Sequence, residues 1–206
     1  MQLVLVACCV FLGGCALPGA RSAPSTFFTL TPIEALDGSA PPPCNVALGL
    51  GPVAIPAYLD RPQLVTRVGP NELRLAEVAR WAEPLRESVI RVLRQNLVAA
   101  SAARSVVLYP WASAAPVDLA VAVDVLRFEP SGADEAELVA RWNVREVPRG
   151  RVLLLRESRI VEPVRGTGTG AQVARLSRAL GTLGREIAAA VRQVGPRNTD
   201  AAGSGR

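Results

Sequence analysis

The sequence predicts an α+β fold: one two-layer domain with a mainly antiparallel sheet covered by two amphipathic helices. Three observations predict it. Several segments alternate apolar and polar residues with period two, the pattern of a half-buried strand. Two others repeat apolar residues every three or four positions, the pattern of a helix with one buried face. Short turns rich in Gly and Pro separate them. With 206 residues, half of them apolar and a fifth charged, the chain can build one core of ordinary size.

The first strand is read in "FFTLTP", Phe27 to Pro32, and a Pro-rich loop follows. Asn45–Ile55 reads as a strand with Val46, Leu48 and Leu50 on one face. Gln63–Val68 and Glu72–Ala76 flank the turn "GPN" and form a hairpin. The period then changes. Leu85, Val89, Val92, Leu93, Asn96, Leu97 and Ala100 make a helical stripe, with Pro84 at the first helical position and Glu87 and Arg91 spaced to pair. Strands return at Ser105–Tyr109, Val117–Phe128, Glu137–Val147 and Val152–Val161. In the second of these Val117, Leu119, Val121, Val123 and Val125 point inward; in the third, Leu138, Ala140, Trp142 and Val144 share a face opposite Glu137, Arg141, Asn143 and Arg145. A long closing helix carries Val173, Leu176, Leu180, Leu183, Ile187, Val191 and Val194.

The amino terminus has a different character. Residues 1–12 are apolar and uncharged, too short to span a bilayer but suited to the core of a signal peptide. "LGGC", Leu12 to Cys15, has the form of a bacterial lipobox: an aliphatic residue, two small ones, then the cysteine. There the thiol takes a diacylglycerol as a thioether, and a peptidase cuts before the modified residue. The other readings are an ordinary signal peptide with an incidental cysteine, or a buried amino-terminal strand. Lipidation at Cys15 gives a signal at 1–14, a lipidated tether at 15–26, a domain at 27–195 and a tail at 196–206. Acyl chains add about 0.8 kcal/mol per buried CH₂, so two or three of them anchor stably. Ala16, not Asp, follows the cysteine, which by the sorting logic of Gram-negative lipoproteins favours the periplasmic face of the outer membrane. Cys8 and Cys9 leave with the signal, so Cys44 remains as a free thiol without an intrachain partner.

Composition narrows the chemistry. All 23 basic residues are Arg, and there is no His, so imidazole bases, Ser-His-Asp triads and His metal ligands are excluded. The net charge of +5 is spread among acidic neighbours and only 4% of residues are aromatic, which argues against nucleic acid. No cluster has metal-ligand spacing, and Asp134 and Glu135 sit in what reads as a hairpin tip. No cofactor site, metal site or catalytic residue is expected, and the chain is read as a non-enzyme. "GTGTGAQ" places glycines before a helix as phosphate loops do, but it lacks the Gly-Lys-Ser/Thr ending and the dinucleotide spacing; a hinge is the simpler reading.

Two stretches stand out as contact candidates. Tyr58, Leu59, Asp60 and Arg61 lie between prolines on a tight link, and Trp81 directly precedes a helix. They read either as a shaped turn with a local Asp–Arg pair and a staple at the helix start, or as protein-contact residues, since Tyr, Trp and Arg anchor interfaces.

Taken in order, "LGGC", "FFTL", "GPVAIPAYLDRPQLVTR", "RWAEPLRESVIRVLRQNL", "VVLYPW", "VAVDVLRFE" and "ARWNV" resemble the ABC-type transport auxiliary lipoproteins, the PqiC-like family. The resemblance covers Phe27 to Val194. It departs in the uncharged signal, the lone Cys44 and the Gly-rich "RGTGTGAQ". It implies a lipoprotein anchored to the membrane at Cys15, an MCE-domain protein of an ABC transporter as partner, lipid transport as the setting, and homo-oligomerisation. The alternative is an envelope-assembly or cell-wall-associated lipoprotein with no transport role.

Overall fold

The computed structural model describes residues 23–33, 44–112, 116–132, 135–163 and 166–195. The signal segment, Cys15, Asp134 and the tail at 196–206 lie outside them. Among the described residues eight strands and two helices run β1 (Thr26–Phe28), β2 (Cys44–Ala54), β3 (Gln63–Gly69), β4 (Glu72–Trp81), α1 (Leu85–Ser101), β5 (Ala103–Leu108), β6 (Leu119–Ser131), β7 (Glu135–Glu146), β8 (Arg151–Pro163) and α2 (Thr169–Val194).

The sheet is organised around β6. β7 pairs with it antiparallel from Leu119 to Ser131, which occupies one edge completely. The other edge is shared: β2 runs parallel along Leu119–Asp124, and β3 touches Ser131 farther on. β8 extends the sheet beyond β7, β5 lies outside β2, and the β3–β4 hairpin carries β1 on its far side. Four of the seven pairings are parallel, so the sheet is mixed and not mainly antiparallel as the alternation suggests. The reason is physical: alternation reports which face is buried and is silent about the direction of the neighbouring strand. β2 shows the consequence, because Val46, Ala47, Leu48 and Leu50 are all buried and both of its faces are covered.

The two helices pack on each other, α2 against β6, β7 and β8, and α1 against β5 and β2. The helical stripes behave as the periodicity requires: Leu85, Val89, Val92, Leu93 and Leu97 of α1 and Val173, Leu176, Leu180, Leu183, Ile187 and Val191 of α2 are buried. Gly184 permits the close helix contact, since a Cβ there would stand 2.8 Å from the Cβ of Asn96. Asn96, polar within its stripe, accepts a hydrogen bond from the Ile33 N–H. Pro84 caps α1 and does not occupy its first turn. Arg91 pairs with Glu83 across the cap, where the sequence pointed to Glu87. The second hairpin strand reaches Trp81, five residues beyond the expected end. Glu137, assigned to the solvent side of β7, is buried between Arg127 and Arg159 on the flanking strands. Among the described residues, no helix is long and apolar enough to cross a membrane.

Candidate functional site

β2 and β3 both run parallel to β6, so the link between them, Ile55 to Pro62, projects from the sheet at the carboxyl end of β2. Its shape is set by its own backbone: Leu59 N–H donates to the Pro56 carbonyl at 2.9 Å, and Arg61 N–H to the Leu59 carbonyl at 2.8 Å. Leu59, 2% exposed, plugs the loop into the core. Trp81, 7% exposed, lies beneath at the end of β4, and its N–H donates to the Pro62 carbonyl at 2.7 Å.

Beside the loop sits Glu129 of β6, a carboxylate only 1% exposed. Tyr58 Oη donates to its Oε2 at 2.9 Å, Arg67 Nε to its Oε1 at 2.8 Å, and the Phe128 N–H to Oε2 at 2.9 Å. The Arg67 guanidinium also lies 6.0 Å from the Tyr58 ring centroid. A buried charge survives only when paired and hydrogen-bonded, and these three donors meet that requirement. Burial first, and the Glu129 charge second, push the Tyr58 hydroxyl up to about 12. It therefore stays a neutral donor, a poor nucleophile or base. The hydrogen bond to Glu129 raises Arg67 further above its ordinary value. The arrangement ties the loop to β6.

The five contact candidates separate. Leu59 and Trp81 belong to the core, Tyr58 and Arg61 are half-buried, and Asp60 is exposed. Asp60 does not pair with its neighbour Arg61; it accepts from Arg86 of α1 at 2.7 Å, tying the loop to the helix. Arg61 Nε is buried without a partner among the described residues. Glu129 and Arg67 escaped the sequence reading. The signal was an acid at the end of an apolar alternation, in "RFEP", where the β6 register shifts between Val125 and Arg127. No group of three or more His, Cys, Asp or Glu among the described residues can hold a metal ion. Cys44 is the free cysteine among them, half-buried at the start of β2.

The loop stands at the end of the domain where the chain arrives from its amino terminus. Phe28 pairs in register with Trp81, and its carbonyl accepts the Ala82 N–H at 2.8 Å. The amino end of α2 is there too, with Phe28 4.0 Å from where a Gly170 Cβ would stand.

Solved structures share this architecture. A protein from Xanthomonas campestris, assigned to the DUF330 family, superposes with a TM-score of 0.69 at 20% identity, over 82% of this chain and 95% of that one. An uncharacterised protein superposes with a TM-score of 0.67 at 18% identity, over 82% and 99% of the two chains. At these identities the likeness is one of fold. No curated protein matches the sequence. Residues 28–188, from β1 into the last turns of α2, match the family model described as the ABC-type transport auxiliary lipoprotein component, and the chain belongs to that family.

Proposed function

We propose that this protein is a periplasmic lipoprotein, held on the outer membrane through acylated Cys15, that docks the MCE-domain component of an ABC-type lipid transporter. The observation that carries this reading is the family match over residues 28–188 together with "LGGC" upstream of it. The acyl chains hold the domain at the bilayer; the folded body does the docking and catalyses nothing. The β2–β3 loop is the contact, with Asp60, Arg61 and the edge of Tyr58 outward and Leu59 and Trp81 supporting them from the core. Copies of the chain associate with one another around the partner.

Mass spectrometry of the mature amino terminus tests the anchor. The expected product starts at Cys15 and carries diacylglycerol and an N-acyl chain, and Cys15→Ser leaves the membrane fraction. A mature chain that starts elsewhere, or a Cys15→Ser protein that stays membrane-bound, overturns it. Affinity purification from detergent-solubilised membranes tests the partner. Capture of an MCE-domain protein is expected; capture of cell-wall or outer-membrane assembly machinery without one favours an envelope-assembly role.

A further inference from the structure

Arg175 lies in the second turn of α2 and is 1% exposed. A guanidinium has five N–H donors and a permanent charge. Among the described residues it meets one acceptor: Nη2 donates to the Gly166 carbonyl at 2.7 Å. Among the described residues Nε is buried without a partner, and none of their ion pairs includes Arg175. Isolated buried charge is among the most unfavourable arrangements in a protein.

The direction in which the side chain points gives the burial a purpose. Long helical side chains reach back toward the amino end of their helix, and this one ends beneath the loop Gly166–Gly168. The loop is exposed, and Gly166 and Gly168 have φ of +89° and +86°. A Cβ on Gly168 would meet no atom within 4 Å, so the space outside the loop is open. Gly168 caps α2 without a side-chain hydrogen bond, and the first turn holds no acid. Helix geometry leaves the N–H groups of Thr169, Gly170 and Ala171 without intrahelical acceptors. Glu162, at the end of β8 just before the loop, is held by Arg178 at 3.3 Å.

We propose that the Gly166–Gly170 segment, the amino end of α2 and Arg175 form a binding site for a phosphate group. The anion takes the free N–H groups and the positive end of the helix dipole. The Gly166 carbonyl gives up its bond, and the guanidinium fork turns to two phosphate oxygens. Free phosphate and a phospholipid headgroup both carry this chemistry. The headgroup gains weight from position, because the site lies beside Phe28, about 13 residues after Cys15, and an extended tether of that length spans at most about 45 Å. That preference rests on the anchoring reading above; the site itself does not.

Thermal unfolding and amide NMR of the full chain test the site with two probes at matched ionic strength: inorganic phosphate, and dihexanoyl phosphatidylglycerol below its micelle concentration. At about a hundredfold excess over Kd, a bound probe raises Tm by about 5–10 °C. The gain is expected to vanish in Arg175→Met and persist in Arg178→Gln, and the amides of Thr169, Gly170 and Ala171 shift saturably. A response to phosphatidylglycerol assigns the headgroup; a response to phosphate alone supports the site and assigns free phosphate. A Tm gain that persists in Arg175→Met is a general salt effect and overturns the proposal, as does the absence of saturable shifts in wild type with both probes. Should Arg175→Met fail to fold, the wild-type amide shifts decide alone. The Cys15→Ser fractionation is independent of every one of these outcomes.

Discussion

Two loops at one end of this domain each lie over a buried charge, and they differ in how that charge is satisfied. Under the β2–β3 loop, Glu129 receives Tyr58, Arg67 and a backbone N–H. Under the loop that opens α2, Arg175 meets one carbonyl among the described residues, and its Nε meets none of their acceptors. The first site is complete within the protein and serves to hold a shape. The second is incomplete among the described residues. A closed network rigidifies what it supports, whereas an open one leaves bonding capacity for something that arrives from outside.

The largest effect expected of this contrast is at Glu129. Glu129→Ala strands Arg67 and Tyr58 next to the core and lowers stability by about 3–5 kcal/mol, read as a shift in the denaturation midpoint. A loss below about 1 kcal/mol would mean that the network is incidental. Arg175 predicts the opposite sign. In the absence of phosphate, Arg175→Met replaces a buried charge that meets no carboxylate among the described residues by an apolar chain of similar length, and raises stability by roughly 1–4 kcal/mol. A loss of stability there would show that the arginine is already satisfied, and the contrast would collapse.

Glu137 sharpens the closed side of the comparison. Burial pushes its carboxyl upward, but hydrogen bonds from Arg127 and Arg159 outweigh that and hold it below the ordinary glutamate range. A carboxyl depressed in the folded state contributes stability above its unfolded pKa and loses it as pH falls through the folded value. Tm should therefore drop between about pH 5 and pH 3 by more in wild type than in Glu137→Gln. The two arginines are partly solvated, so the contribution is about 1 kcal/mol. The smallest effect belongs to Asp60→Ala, which removes an exposed pair with Arg86 and costs under about 1 kcal/mol of stability. Any large consequence of Asp60→Ala must then appear in partner binding.

Face assignment was the part of this fold that a sequence discloses well. The inward residues of β6 and β7 and the stripes of α1 and α2 follow from periodicity, because burial on one side imposes it. Strand direction was hidden. β2 pairs with β5 and β6 in parallel, and nothing in "NVALGLG" states that; the run of buried residues on both faces was the available hint. Of the contact candidates, "YLDR" was found by its prolines and its residue types, but the division into Leu59 inward and Asp60 outward needed the fold. Glu129 and Arg175 were missed for one reason. Pattern reading places charged residues outside, and each of these is inside, a placement that only the tertiary structure reveals.

The docking claim is tested most directly by site-specific photocrosslinking in cells from two positions, Asp60 in the β2–β3 loop and Gln193 in the last turn of α2. Gly195, just past that turn, packs near Cys44 and Val46 at the start of β2, so the two positions lie at opposite ends of an 11-residue strand. The crosslinker at Asp60 is expected to capture the MCE-domain protein and the one at Gln193 is not. Equal capture from both positions, or capture from Gln193 alone, would contradict it.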